Sequence, residues 1–334
     1  MAIDVTGNTV NFGTYTISAT PTSIIINGKL RAAGCGFSPT QAQGSVSGYS
    51  SGGVRGAAPS DVIDKFPFSS DSPATDVGNL TFARNSLAGQ SSSISGYAAG
   101  GGSPAASPAN GINIIDKFPF SSDTNATDVG DLSQGRYRLT GQSSTENGYA
   151  SGGFSPITNC DKIDKFPFSS DTNATDIGEL TCARNFLTGQ SSFVNGYSSG
   201  GGAPTRQNTI DKFPFAADTN ATDVGDLTQS VDGGAGQNSE DNGYTSGGEA
   251  PSYTTTIDKF PFATDANATD IGDLTENRTK ASGQSSLVNG YTSGGEGDSG
   301  STIDKFPFAA DSSATDVGEL TGSFAQGGIA GQQV

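Results

Sequence analysis

A six-residue phrase, IDKFPF, occurs six times in this chain of 334 residues. Its isoleucine stands at positions 63, 115, 163, 210, 257 and 303, so successive copies are 46 to 52 residues apart. Two further markers keep the same period and order: a Gly-Tyr pair shortly before a double glycine, and a Gly-Gln pair. Self-similarity with such a period indicates a repeat architecture in which one small structural unit recurs along the chain.

Each repeat is interpreted as four short β-strands, represented by GQSS, GYTS, TIDKFPF and ATDIGDLT. Asn-Gly at 289–290 predicts a tight turn between the first two strands, and an Asp- and Asn-rich run predicts the turn between the last two. The two phenylalanines of IDKFPF are two residues apart, so they share one strand face and can fill the space between neighbouring units. The 48 glycines and the absence of tryptophan are typical of short strands joined by tight turns.

Four antiparallel strands in about 50 residues indicate one blade of a β-propeller. We therefore predict an all-β, single-domain β-propeller over residues 1–334. Six copies leave about forty residues at the start, and the final GGIAGQQV matches only the first strand of a blade. We predict seven blades, the closing blade being shared by strands from 1–36 and 327–334, because closure removes unpaired strand edges. The repeated blades are expected at about 42–80, 89–132, 141–180, 189–227, 236–274 and 283–320. The alternative is six blades with residues 1–40 as an arm or attachment segment.

Charge and composition restrict the partners. The chain has 34 acidic and 17 basic residues, a net charge of −17, which argues against nucleic acid or an anionic membrane surface as a partner. The N-terminal residues do not have the pattern of a signal peptide, and no apolar run has the length of a membrane span. The three cysteines occupy non-equivalent repeat positions, so we expect no disulfide framework.

Catalysis is restricted by the absence of histidine. There is no imidazole base, no Ser-His-Asp triad and no histidine ligand for zinc or copper. Acidic pairs such as Asp123 and Asp128 recur from repeat to repeat, whereas a catalytic pair is expected once. These turns resemble calcium loops in their alternating oxygen ligands, but they lack the glycine and the glutamate that an EF-hand requires, so hairpin turns are favoured. We expect no catalytic residue, no metal and no cofactor.

The variable loops are the candidates for binding. In an up-and-down blade, the loops after the second and fourth strands lie on one face, and in this chain those loops differ between repeats while the others are nearly constant. Seven of the eight arginines fall in the variable loops. Because loops on a rigid scaffold carry recognition, we predict a binding face containing Arg84, Arg136, Tyr137, Arg138, Arg184, Arg206, Tyr253 and Arg278. Phe154 and Phe186 lie in the same variable loops and are expected on this face. Packing at the blade rim is an equal alternative for Arg84, Arg184 and Arg278, which occupy matching positions.

Two resemblances add expectations. The order GYTSGG at 290–295, TIDKFPF at 302–308 and the turn at 311–316 resembles the kelch repeat, although the tryptophan usual on the last kelch strand is missing. The sequence motifs GYTSGG, IDKFPF and NATDVGDLT also resemble repeats in structural proteins of marine cyanophages. That resemblance implies a place on the virion and a role as a fibre, tail or capsid appendage.

Together these features predict a non-enzymatic virion propeller that binds a host-surface glycan or a neighbouring virion protein through its variable face. Self-association of copies is left open. The alternatives are a cellular carbohydrate-binding or protein-interaction propeller and a carboxylate-dependent hydrolase.

Overall fold

The computed structural model describes the strands within 9–32 and residues 43–103, 111–322 and 328–334. The chain forms two compact units, residues 1–38 and 39–334. The first unit contains an antiparallel sheet of four strands hydrogen-bonded in chain order. These strands are Thr9–Phe12, Tyr15–Thr20, Ser23–Ile26 and Lys29–Ala32.

The second unit contains six four-stranded antiparallel sheets, which are the blades of a β-propeller. Blades are numbered 1 to 6 in the order of the IDKFPF copies, and the strands of each blade are called inner, second, third and outer. In blade order, the inner strands are Ala330–Gln333, Ala88–Ser91, Thr140–Ser143, Thr188–Ser191, Ala235–Asn238 and Ser282–Ser285. The second strands are Ser47–Ser51, Ser95–Ala99, Asn147–Ser151, Asn195–Ser199, Asn242–Ser246 and Asn289–Ser293.

The third strands carry the IDKFP residues: Val62–Pro67, Ile114–Pro119, Lys162–Pro167, Thr209–Pro214, Thr256–Pro261 and Thr302–Pro307. The outer strands are Thr75–Asn79, Thr127–Asp131, Thr175–Glu179, Thr222–Asp226, Thr269–Asp273 and Thr315–Glu319. Five pairs of two-residue strands are added in the variable loops: Val54–Arg55 with Ala58–Pro59, Phe154–Ser155 with Thr158–Asn159, Gly202–Ala203 with Thr205–Arg206, Glu249–Ala250 with Ser252–Tyr253, and Arg278–Thr279 with Glu296–Gly297.

The prediction of seven blades was wrong, because the second unit has six. The C-terminal strand Ala330–Gln333 does close the ring, but it pairs with Ser47–Ser51 of the first repeat, with Gln332 opposite Tyr49. The first repeat has no Gly-Gln strand of its own, and the C-terminal segment supplies it. The predicted closing blade of 1–36 and 327–334 is therefore not formed, and the strands of residues 9–32 make a separate sheet.

The core lies between the blades and is largely aromatic. Phe166 of blade 3 packs on Tyr97 of blade 2 with ring centroids 5.6 Å apart, and Phe168 stacks on the same ring at 4.8 Å. The same arrangement of tyrosine and two phenylalanines recurs at all six blade boundaries. The two phenylalanines of IDKFPF thus fill the space between neighbouring blades, as the spacing predicted.

The repeated acidic turns also join neighbouring blades. Lys117 of blade 2 contacts Asp171 in the turn of blade 3 at 2.9 Å, and the equivalent pair closes the ring from Lys305 of blade 6 to Asp71 of blade 1. Asn173 in the same turn accepts a hydrogen bond from the Asp131 amide of blade 2. In the ranges described above, no three His, Cys, Asp or Glu side chains are grouped to hold a metal ion, and no helix is long and apolar enough to cross a membrane.

Candidate binding site on the variable face

Four of the predicted binding arginines are buried in the scaffold. Arg84, Arg136, Arg184 and Arg278 have at most 1% of their surface exposed. Each lies in the loop that enters a blade and pairs with the aspartate of IDKF in that blade, at 2.7 to 3.2 Å. That aspartate is buried in every blade, and in these four blades the arginine offsets its loss of hydration. A ligand at the surface cannot reach these arginines, so we withdraw all four as binding residues, including Arg136, for which packing was not predicted.

In the other two blades, the buried aspartate of IDKF has different partners. In blade 1, Arg55 reaches Asp64 from the loop after the second strand, at 2.7 Å. In blade 5, Val231 stands at the arginine position, and Asp258 accepts hydrogen bonds from the amide and hydroxyl of Thr228. Burial raises the pKa of Asp258, which has no cation beside it among the described residues to offset the loss of water.

Two residues before each inner strand, the chain passes around the mouth of the propeller axis. The six residues there are Ser86, Arg138, Phe186, Gly233, Lys280 and Gly328, and all have left-handed backbone conformations, with φ from 54° to 74°. The amide of each donates to the carbonyl of its counterpart in the preceding blade at 2.6 to 2.8 Å, and Gly328 completes the circle by bonding Lys280. We call this closed circle the mouth ring.

The mouth ring surrounds a shallow cavity. Side chains of Leu87, Leu139, Leu187 and Ile329 line its wall. Below them the inner strands approach so closely that a Cβ on the central glycine, such as Gly89, would lie 2.0 to 2.3 Å from a neighbouring glycine carbonyl. Small cavities of about 100 and 50 Å³ lie on the two sides of this constriction, which the central glycines of the six inner strands form. The space below the mouth ring is therefore narrow.

Four side chains project at one side of the mouth ring, and we call them the mouth cluster: Tyr137, Arg138, Phe186 and Lys280. The Arg138 guanidinium lies 4.4 Å from the centroid of the Phe186 ring and 5.1 Å from that of Tyr137. The Lys280 ammonium lies 5.4 Å from the Phe186 centroid. All four side chains are half-buried. A left-handed conformation costs a non-glycine residue on the order of 1 kcal/mol, and such strain is often found at functional sites.

Acidic groups next to the mouth cluster are held by local partners. Glu296 contacts Lys280 at 2.6 Å and accepts a hydrogen bond of 2.6 Å from the Tyr253 hydroxyl, which raises the pKa of Tyr253 to about 12. Arg206 pairs with both Asp232 and Glu249. Burial raises the pKa of the Asp232 carboxyl, although Arg206 opposes the shift.

The structure therefore divides the predicted residues into three groups, the first being the four buried arginines. Tyr137 and Arg138 lie in the mouth cluster, and Arg206 and Tyr253 lie in half-buried polar contacts on the same face. The sequence prediction missed Lys280, Glu296, Asp232 and Glu249. Lys280 could have been found, because it stands at the same repeat position as Arg138 and Phe186. The carboxylates carry no such signal, since they come from loops of different length.

Solved structures share this architecture. The protein YjhT superposes with a TM-score of 0.63 at 12% sequence identity, over 83% of this chain and 99% of YjhT. At this identity the likeness shows the β-propeller fold alone. No protein-family model and no curated protein sequence matches the chain.

Proposed function

We propose that this protein is a non-enzymatic recognition propeller of a virus particle that binds a host-surface glycan at the mouth cluster. The observation that carries the proposal is the pairing of Arg138 and Lys280 with the Phe186 ring on a strained, closed backbone ring. Small-molecule sites combine aromatic surface with a few fixed polar groups, and a sugar offers an apolar ring face together with hydroxyl groups. The mouth cluster provides both kinds of contact.

The scaffold favours binding because it holds the mouth cluster in place before a ligand arrives. The mouth ring is fixed by six main-chain hydrogen bonds, and Arg136, next to Tyr137, is anchored on Asp164. A preorganised site loses little conformational entropy on binding. Many copies on one particle would add avidity to a weak single contact.

The virion location rests on the resemblance of the repeats to structural proteins of marine cyanophages. A particle protein also suits the acidic, cysteine-poor composition of the chain. Mass spectrometry and immunogold labelling of purified particles test the location directly. Absence of the protein from intact particles would leave the cellular carbohydrate-binding propeller as the better proposal.

Glycan-array binding by the wild-type protein and two variants tests the site. Phe186→Gly removes the central ring of the mouth cluster, and glycine already occupies the same position as Gly233 and Gly328. The fold should therefore tolerate the change. Phe193→Ala is the matched control, because Phe193 is 47% exposed on the opposite face. We expect Phe186→Gly to lower affinity by roughly tenfold, about 1.4 kcal/mol, and Phe193→Ala to leave it unchanged.

A carboxylate-dependent hydrolase is the second candidate function. One observation favours it: the main chains of Asp232 and Glu249 exchange hydrogen bonds between two loops of blade 5, and burial, with a smaller effect of Glu249, raises the pKa of Asp232. Both carboxylates are held by Arg206, which ties up the oxygens that an acid–base pair would need. Incubation with the bound glycan and assay of new reducing ends separates the two functions, because only a hydrolase would release them and lose this activity in Asp232→Asn.

A further inference from the structure

We infer that the glycan bound at the mouth cluster is anionic and that Arg138 binds its carboxylate or sulfate group. This inference rests on the function proposed above and specifies the class of ligand.

Arg138 is the exception among the cations of this acidic protein. Of the 17 lysines and arginines, Lys29 and Arg31 lie outside the ranges 43–103, 111–322 and 328–334, which leaves 15. Fourteen of these 15 have a carboxylate oxygen within 3.2 Å. Within these ranges Arg138 alone has none. An arginine without an anion is notable where acidic residues outnumber basic ones two to one.

The described side chains around Arg138 contact its guanidinium through aromatic rings and not through hydrogen-bond acceptors. Its guanidinium carbon lies 4.4 Å from the centroid of the Phe186 ring and 5.1 Å from that of Tyr137. The N–H donors of a guanidinium lie in the plane of the group and match the two oxygens of a carboxylate or sulfate. No hydrogen bond joins the Arg138 side chain to a described residue, so none of the described residues uses its donors. The left-handed backbone, with φ of 58°, fixes where the side chain leaves the mouth ring.

The neighbouring charges leave this position open to an external anion. Glu296 is bound by Lys280 and Tyr253, and Arg206 binds both Asp232 and Glu249. These carboxylates are therefore satisfied without Arg138. The net charge of −17 repels polyanions at long range, so an anionic glycan needs a local cationic contact of this kind to bind.

Two matched pairs of probes test the inference by isothermal titration calorimetry. Oligogalacturonate is compared with its carboxyl-reduced form, and a sulfated carrageenan oligosaccharide with its desulfated form. The wild-type protein should bind at least one anionic probe clearly more tightly than its neutral partner, and which pair responds distinguishes carboxylate from sulfate. Arg138→Gln should weaken binding of that anionic probe roughly tenfold to a hundredfold, the range for charge-assisted hydrogen bonds. Arg138→Lys, which keeps the charge but loses the planar donors, should give an intermediate loss.

Lys162→Gln is the control, because it changes the net charge by the same amount as Arg138→Gln. Lys162 pairs with Asp176, which lies on the outer strand of blade 3. Equal losses in Arg138→Gln and Lys162→Gln would show a long-range charge effect and overturn the inference. Equal binding of anionic and neutral probes, with no effect of Arg138→Gln, would also overturn it while glycan binding itself stands. If the wild-type protein binds no saccharide here or on the glycan array, the proposed function fails and the inference fails with it. Thermal unfolding of each variant shows whether the fold is intact.

Discussion

The buried arginine–aspartate pairs give the sharpest test of how the propeller is held together. Arg184 and Asp211 are both fully buried, with Nη2 and Oδ2 2.9 Å apart. Arg184→Val copies the residue that blade 5 has at this position, Val231. The change leaves the Asp211 carboxylate with the amide and hydroxyl of Thr181, at 3.0 and 2.6 Å, as its hydrogen-bond donors.

The expected loss follows from burial. Removing one partner of a buried ion pair costs about 3–5 kcal/mol, because the remaining charge is neither hydrated nor paired. In a domain of this size that corresponds to a fall in Tm of roughly 6–10 °C. Urea unfolding followed by tyrosine fluorescence, together with calorimetry, measures both quantities.

Arg55→Val is the matched comparison. Arg55 contacts the equivalent aspartate, Asp64, which also has a threonine donor, Thr321, but the Arg55 side chain is 22% exposed. Water can reach the vacated position, so we expect a loss of about 1 kcal/mol, near the range for exposed pairs. Equal losses in the two variants, or less than about 1 kcal/mol for Arg184→Val, would refute the argument that burial of the pair determines its contribution.

Three further predictions concern other parts of the ring. Because burial raises the pKa of Asp258, the native state binds a proton more readily than the unfolded chain. The free energy of unfolding of the wild type, relative to that of Asp258→Asn, should therefore increase as pH falls from 7 towards 4. A difference between the two proteins that does not change with pH in urea titrations would contradict this. Gly89→Ala should destabilise the protein by several kcal/mol in calorimetry, because its Cβ would lie 2.2 Å from the Gly331 carbonyl oxygen. Gly102→Ala should cost roughly 1 kcal/mol or less, because the atom nearest to its Cβ is 3.4 Å away. Deleting residues 328–334 should unfold or aggregate the protein, because it removes the inner strand of blade 1 and exposes the edge of Ser47–Ser51; an unchanged Tm in the truncated protein would show that this closure is dispensable.

The aromatic boundaries show why so much of the fold could be predicted from the repeats. Phe118 and Phe120 recur with the same spacing in each copy, and the period of a strand places both on one face. Gly96 is fixed by the same contact, because a Cβ there would lie 2.3 Å from the Phe118 ring. Strand order, turn positions and the packing between blades follow from such local rules, repeated six times.

The number of blades depended on a pairing between the chain ends. The Gly-Gln strand at Gly331 was visible in the sequence, but its partner could lie in residues 1–36 or in the first repeat. Strand pairing across 280 residues has no local signature, and both choices would close a ring. The fold selected Ser47–Ser51, which pairs with Val62–Pro67 on one side and would have an unpaired edge on the other without the C-terminal strand.

A ring of repeated β-blades with one variable face could be predicted from the repeats, because periodicity and turn chemistry act over a few residues. Which variable residues are available to a ligand depends on contacts between residues that are distant in the chain. Arg136 and Arg138 are two residues apart in the same loop, yet Arg136 is buried against Asp164 and Arg138 projects at the mouth of the axis. The difference arises from a buried aspartate 28 residues after Arg136 and from a backbone ring that six loops close together.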